Sequence, residues 1–327
     1  MNYNVASLFA GVGGICLGFK NAGANIVWAN EMDKWACETY KRNFTHTLIE
    51  AKIEDVDINS IPNVDILTSG FPCTSFSIAG YQKGFEDEKS GHLFMETLKI
   101  IKAIQPQVIF LENVKNLLSH DKGNTFKVIK EALVDAGYFF KYQVLNSMEY
   151  GNVPQNRERI YIVGFKNKNH CDMFNFPKPI KLTKTIRDII NPTVQKDSKF
   201  YYENSKYYPM LSEVMKNRNT VYQLRRVYVR ENKNNVSPTL TANMGTGGHN
   251  VPLIIDDYGL RKLTPKECFM FQGFPEDYQL PSSMANSHLY KQAGNSVTVP
   301  VVERIAKNIL DIMNKSSSNI KEQYIAS

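Results

Sequence analysis

Short apolar runs alternate with amphipathic stretches along the first half of the chain. Val5 to Phe9, Ile26 to Ala29, Val64 to Leu67, Val108 to Leu111, a stretch near Phe140 to Leu145, and Ile160 to Phe165 are too short for buried helices and read as strands. The segment after Gly14, Leu93 to Ile104 and Asn124 to Ala136 carry helical periodicity, and Pro106 stops the helix that begins at Leu93. The acidic stretch Ile53 to Ile58 is a candidate third strand. This alternation predicts an α/β fold. From about Lys166 to Arg261 the alternation fades, tyrosines cluster at 201, 202, 207 and 208, and Val221 to Val229 reads as one strand carrying Arg225, Arg226 and, just beyond it, Arg230. The regular pattern returns at Thr264, an N-cap ahead of Pro265 at the first helical position. It ends in a C-terminal helix, Val301 to Met313, with a polar, frayed tail from Asn314.

Composition narrows the class only slightly. With 43% hydrophobic and 22% charged residues, the 327-residue chain has the balance of a soluble globular protein with room for two domains. No Lys or Arg precedes the apolar Val5 to Phe19 segment, glycines interrupt it, and no later stretch is long enough to span a membrane. Five cysteines at 16, 37, 73, 171 and 268 lack metal-type spacing and fit a reducing cytoplasm. A formal charge of +7 leans toward a polyanionic partner, nucleic acid among them.

The polar residues that follow the strands carry the candidate chemistry. In open α/β sheets, ligands bind beyond the carboxyl ends of the strands. Ala10-Gly11-Val12-Gly13-Gly14 joins the first strand to a helix, a turn that lets backbone N–H groups approach a ligand. It is not the Gly-x-Gly-x-x-Gly fingerprint, because Cys16 stands where the third glycine would be. Glu31, 17 residues after Gly14, can accept from ribose hydroxyls, while Asp33 is the better helix cap. Cys73, stiffened by Pro72, is a candidate nucleophile or a small buried filler. Glu112, at the end of another strand, is a candidate proton donor whose pKa burial would raise, or a capping acid beside Asn113. Arg157 and Arg159 alternate and would project to one face of an extended segment. Gly80 to Gly91 reads as a loop with glycine hinges, a candidate lid over Cys73. The polar middle segment suits a separate domain whose loops contact phosphates and base edges, or a poorly packed insertion.

Seven stretches in order resemble the DNA cytosine-5 methyltransferase family of bacterial restriction-modification systems. They are Phe9 to Gly14, Asn30-Glu31, Pro72-Cys73, Glu112-Asn113-Val114, Gln155-x-Arg157-x-Arg159, the helix from Leu263 with Gln272-Gly273-Phe274-Pro275, and Gly294-Asn295-Ser296. The resemblance implies a doubly wound mixed sheet of the S-adenosylmethionine-dependent methyltransferase type. Residues 1–186 plus 286–327 would form the catalytic domain, and 187–285 a smaller, strand-rich target-recognition domain. It implies methyl transfer from S-adenosylmethionine to carbon 5 of a flipped-out cytosine in a short duplex DNA sequence, through a covalent Cys73 adduct. Glu112 would hold ring nitrogen 3, and Arg159, supported by Arg157, would steady the base. By the same resemblance Phe9, Ala10, Gly11, Gly13, Gly14, Glu31, Met32, Ile53, Gly70, Phe71, Pro72, Leu93, Asn295, Ser296 and Val297 line the cofactor site. Ser77, Gln82, Arg225, Arg226, Arg230, Asn243, Gly245, Gly247 and Gly248 are candidate DNA contacts. A cytoplasmic monomer without metal is expected, protecting host DNA from a cognate nuclease.

Two departures from the family pattern stand out. Thr74 replaces the usual glutamine after the nucleophile, and the acid that often faces adenine aligns with Lys52, or with Glu54 or Asp55 in a shifted register, so the Ile53 backbone is expected to take that place. Three other readings remain open: a tRNA cytosine-5 methyltransferase, a silent DNA-binding regulator, and a nicotinamide oxidoreductase. The long polar middle segment disfavours the first, the retained Cys73 and Glu112 the second, and the glycine spacing the third.

Overall fold

A computed structural model describes residues 3–72, 92–247 and 249–325, with side chains as far as Lys315. Cys73, Ser77, Gln82, Gly248 and the whole of the Gly80 to Gly91 segment lie outside the described residues. Contacts divide the chain into two units: Met1–Leu145 with Glu158–Lys178 and Val301–Ser327, and Asn146–Arg157 with Pro179–Pro300.

The first unit carries strands β1 (Asn4–Leu8), β2 (Asn25–Glu31), β3 (Thr47–Glu50), β4 (Ile66–Ser69), β5 (Val108–Val114) and β6 (Phe139–Asn146). The two-residue β7 (Gln155–Asn156) belongs to the second unit, and β8 (Glu158–Phe165) returns to the first. The sheet order is β3-β2-β1-β4-β5-β8-β6. β1 pairs in parallel with both β2 and β4, β5 continues the parallel run, and β8 lies antiparallel on β5, so the sheet is mixed. The chain runs outward from β1 to β3, then restarts on the other side at β4. The carboxyl ends of β1 and β4 therefore flank a switch point, the position at which a doubly wound sheet opens a crevice. Helices α1 (Gly14–Asn21), α2 (Lys34–Lys41), α3 (His92–Ile104) and α4 (Asn124–Asp135) follow β1, β2, β4 and β5. Nearly every residue of β4 and β5 is buried, as expected of strands covered on both faces.

Three boundaries differ from those read in the sequence. Ile53–Asp55 and Ile58–Ser60 are single 3-10 turns, and the third strand is Thr47–Glu50 just upstream. Asp57 accepts from the Asn59 amide, a local bond that competes with a strand ladder. β5 runs through Glu112 and Asn113 to Val114, because its antiparallel partner continues beside it, with Glu112 opposite Tyr161 and Val114 opposite Arg159. After α5 (Ser147–Tyr150), α6 (Lys168–Met173), α7 (Ile186–Ile189), α8 (Tyr208–Val214), α9 (Pro265–Met270) and α10 (Asn286–Asn295), the last helix, α11, spans Val299–Ile325. Its polar second half contains no Gly or Pro to stop it.

In the second unit, Tyr222 to Glu231 forms a hairpin in place of the continuous strand expected from Val221 to Val229. β9 (Tyr222–Leu224) and β10 (Val229–Glu231) are antiparallel, and the Arg225 amide bonds the Tyr228 carbonyl at 2.8 Å across the tip. Arg225, Arg226, Val227 and Tyr228 are exposed on that tip, Val227 by 84%. Alternation alone could not locate the reversal, because no Gly, Asn or Asp marks it. β11 (Ser237–Pro238) pairs with β7, while β12 (Leu253–Ile255) and β13 (Leu260–Lys262) complete a sheet ordered β10-β9-β12-β13 over a core that includes Leu211, Tyr222 and Leu253. α9 starts where Thr264 and Pro265 predict it, with a capping box formed by Thr264 and Glu267. A Cβ at Gly294 would collide with the backbone of Thr241 and Ala242, so only glycine permits that approach of helix and loop.

Candidate active site

Adjacent strand ends in the first unit bring Gly70 and Glu112 together. Ser69 pairs with Leu111, so the next residues of β4 and β5 are neighbours, and a Cβ on Gly70 would lie 3.7 Å from Glu112 Oε2. Asn113 is buried and donates from Nδ2 to the Phe71 carbonyl at 2.8 Å, while its Oδ1 accepts from the Val114 amide. It therefore ties the residues just before Cys73 to the strand that carries Glu112. Phe71 is buried against Phe94 of α3, with ring centroids 5.4 Å apart, and Pro72 is exposed. Arg159 Nε lies 3.3 Å from Glu112 Oε1, both side chains more than four-fifths buried. The carboxylate is thus held between a glycine with no side chain and a guanidinium. It is not the cap of any described helix; Val114 takes that place before the 3-10 turn Lys115–Leu118.

The turn after β1 is anchored to the end of β2. Glu31 Oε2 accepts from the Gly11 amide at 2.7 Å, and Oε1 from the Met32 and Asp33 amides at 2.8 Å each. Asp33 caps α2 through the Trp35 and Ala36 amides, as its position in the sequence suggests. Phe9, Gly11 and Gly13 all have positive φ, at 51°, 57° and 82°. Nothing stands within 4 Å of a Cβ on Gly11, whereas one on Gly13 would strike the Phe44 ring. Gly13 is therefore a packing glycine, and Gly11 faces open space. Ala10, Gly13 and Gly14 are buried, Phe9 is half-buried, and Met32 stands 63% exposed on the same edge. Ile53 is buried in its 3-10 turn, the exposed Lys52 precedes it, Glu54 is tied to His92 at 3.3 Å, and Leu93 is half-buried.

Arg157 and Arg159 do different work despite their alternation. In the second unit, Arg157 is 2% exposed and donates to the carbonyls of Leu240, Gly294 and Ser296 at 2.7, 3.3 and 2.5 Å. Gln155 donates to the Phe271 carbonyl at 2.7 Å and accepts from the Leu240 amide at 3.0 Å. Gln272 donates to the Ala293 carbonyl at 2.9 Å. One buried polar network thus joins three motifs that are far apart in sequence. Asn295, exposed, and Ser296 and Val297, buried, follow directly from it at the end of α10.

The remaining second-unit candidates separate by surroundings. Arg225, Arg226, Arg230 and Asn243 line a cavity of about 800 Å³. Gly245 packs on α10 at Ser287 and Lys291, so it serves packing there, and Gly247 ends the same turn with a φ of 80°. Sequence reading missed the tether made by Asn113, which stood inside a quoted motif, and the cavity residues Asn232 and His249, which carry no signal of their own.

Among the described cysteines, none suits nucleophilic attack. Cys16, Cys37, Cys171 and Cys268 are all buried. Burial pushes each thiol up, that of Cys37 to about 12 with Glu31 nearby adding to the effect. The thiolate is the reactive species, so alkylation of the native protein at pH 8 is expected to modify at most one thiol per chain. Mass spectrometry of peptides should place that label on Cys73, and labelling of any other cysteine at a similar rate would contradict the assignment. Among the described residues no cluster of His, Cys, Asp and Glu is arranged to hold a metal, and no described helix is long and apolar enough to cross a membrane.

Comparison with known proteins extends this description. The profile of the C-5 cytosine-specific DNA methylases matches residues 3–311. The chain is 62% identical over 312 residues to the type II methyltransferase M.Bsp6I of Bacillus sp., covering 94% of this chain and 99% of that one. It is 38% identical over 321 residues to the type II methyltransferase M.HhaI of Haemophilus parahaemolyticus, covering 94% of each. Among solved structures, a Spodoptera frugiperda DNMT2 variant superposes with a TM-score of 0.73 at 21% identity, covering 94% of this chain and all of that one. At that identity the likeness speaks for the fold.

Proposed function

The chain belongs to the C-5 cytosine-specific DNA methylase family, and from that premise we propose that it methylates carbon 5 of a cytosine flipped out of a short duplex sequence, with Cys73 as nucleophile. The observation that carries the reading is the Glu112 constellation. A buried carboxylate is paired with Arg159, and its neighbour Asn113 holds the Phe71 carbonyl, two residues before Cys73 in the sequence.

Carbon 5 of an aromatic cytosine ring is a poor nucleophile. Addition of the Cys73 thiolate to carbon 6 breaks the aromaticity and leaves an enamine that is nucleophilic at carbon 5. Glu112 faces ring nitrogen 3 and the exocyclic amine and offsets the charge that develops on the ring. Arg159 orients Glu112 and steadies the bound base, while Arg157 acts as a positioning residue through the carbonyls it holds. After methyl transfer, a base removes the carbon-5 proton, its electron pair re-forms the 5,6 double bond, and Cys73 leaves as thiolate. The target atom is stacked inside a duplex, so the base is extruded first, at a cost of a few kcal/mol.

S-adenosylmethionine, the methyl donor, supplies an electrophilic methyl group on a sulfonium. The residues at the switch point fit it. The open space at Gly11, the half-buried Phe9, the exposed Met32 and the anchored Glu31 carboxylate together offer a flat apolar surface beside a hydrogen-bond acceptor. Phe9, Ala10, Gly11, Gly13, Gly14, Glu31, Met32, Ile53, Gly70, Phe71, Pro72 and Leu93 are assigned to this site, and on the family resemblance alone Asn295, Ser296 and Val297 of the second unit are assigned to cofactor binding. Residues 1–186 with 286–327 serve catalysis and 187–285 target recognition, and methylation protects host DNA from a companion nuclease.

The experiment that tests the reading is transfer of labelled methyl groups to duplex DNA, with tRNA in parallel and base-resolution mapping of the product. Label confined to one short DNA motif at carbon 5 is the expected result, and label in tRNA alone would overturn it. Glu112→Gln keeps the shape but removes the carboxylate charge and is expected to lower kcat by roughly 10²- to 10⁴-fold. A fall under tenfold in single-turnover kinetics would remove Glu112 from the mechanism.

A further inference from the structure

The second unit holds a polar cavity whose buried groups do not satisfy one another. Its volume is about 800 Å³, and Arg225, Arg226, Arg230 and Lys233, all exposed, stand around it. On its wall Asn232 is only 8% exposed. Two backbone bonds pin that residue: its amide donates to the Val221 carbonyl at 3.0 Å, and its carbonyl accepts from Thr220 Oγ1 at 2.8 Å. Its side chain does not cap the 3-10 turn that it precedes. Among the described residues, Nδ2 of Asn232 has no hydrogen-bond partner, and neither has Nδ1 of His249, which lines the same cavity. By contrast the Asn156 side chain on the same wall is satisfied, accepting from Asn146 Nδ2 at 2.7 Å.

A buried donor left unpaired costs stability, and a protein that retains one in a basic cavity has an acceptor to offer it from outside. We propose that Asn232 is a sequence-reading residue, whose Nδ2 donates to an acceptor on a base edge of the target DNA. The inference rests on the reading of the chain as a DNA methyltransferase. A base edge is favoured over a phosphate for two reasons. The exposed cations around the cavity already suit the uniform negative backbone, for which a point charge suffices. A neutral carboxamide with a pinned backbone offers a donor and an acceptor in fixed directions, the pattern that distinguishes one base pair from another. The exposed cations around the cavity therefore supply affinity, and the buried Asn232 supplies discrimination.

The test is selection of bound duplexes from a randomised pool by the full chain and by Asn232→Leu and Asn232→Ser, with methyl transfer measured separately. The wild-type chain is expected to enrich one motif. Both variants should keep that motif except at one base-pair position, and its symmetry mate if the motif is palindromic, where preference falls roughly 10- to 100-fold. Arg226→Ala should instead weaken all sequences alike and flatten the salt dependence. Full retention of the motif by a folded variant would overturn the proposal, as would an equal loss on cognate and random DNA, or no enrichment by the wild type. If Asn232→Leu misfolds, Asn232→Ser carries the same comparison. Lost discrimination by the variants supports Asn232 even where the wild type binds a motif without methylating it, an outcome that would sink only the catalytic reading.

Discussion

Replacing Cys73 with alanine is expected to abolish methyl transfer, with a loss of at least about 10⁴-fold. The size follows from the chemistry. Without a nucleophile at carbon 6 the ring stays aromatic, and no arrangement of Glu112 or Arg159 makes carbon 5 attack a methyl group. Substitution by another cysteine is excluded by burial, since the thiols of Cys16, Cys37, Cys171 and Cys268 are all pushed up and enclosed. Single-turnover methyl transfer measures the loss, and duplex binding in the same preparation serves as the control for folding. Transfer within tenfold of wild type would end the covalent mechanism. A variant that neither transfers nor binds would be reassessed with Cys73→Ser, which retains a similar volume and a much weaker nucleophile.

The largest expected loss of stability belongs to Arg261. This guanidinium is completely buried, with Nε 2.5 Å from Asp256 Oδ2 and its two terminal nitrogens 2.8 and 2.7 Å from the Glu267 carboxylate. Glu267 also closes the capping box of α9 by accepting from the Thr264 amide at 2.8 Å. Arg261→Met preserves much of the apolar volume but leaves two carboxylates out of water with no cation between them. Breaking a buried pair by removing one partner costs about 3–5 kcal/mol, and two acids depend on this one. Denaturant unfolding at neutral pH should register a shift of that order, read at constant m-value. A change below about 0.5 kcal/mol, the range of ordinary surface substitutions, would mean that the triad is solvated or can rearrange. No sequence motif singles out Arg261, and its importance comes from burial alone.

Much of the first unit was legible because its signals are local. Val108 to Leu111 is apolar throughout since both faces of β5 are covered, and Pro106 ends α3 because its ring cannot continue a helix. Thr264, Pro265 and Glu267 announce α9 through bonds made within four residues. Signals failed where a partner far along the chain decided the outcome. β5 extends to Val114 because β8 lies alongside, and Thr47–Glu50 joins the sheet as a half-exposed edge with little hydrophobic pattern. The hairpin at Arg226 and Val227 has no turn residue to mark it.

The candidate site divides in the same way. Residue types and their immediate neighbours specify which groups are available: Glu112 after an apolar run, Glu31 after a glycine turn, two arginines in alternation, and Cys73 beside a proline. Covalent chemistry and backbone stiffness are properties of residue type and immediate neighbours, so they survive without a fold. Which of these groups meet depends on the folded chain. It set Arg159 against Glu112, turned Arg157 to three backbone carbonyls, and used Asn113 to hold the Phe71 carbonyl. It also left Nδ2 of the buried Asn232 without a hydrogen-bond partner among the described residues. Hydrogen bonds and ion pairs act over a few ångströms, and the distances between residues remote in sequence come from sheet order and packing, which local pattern does not encode.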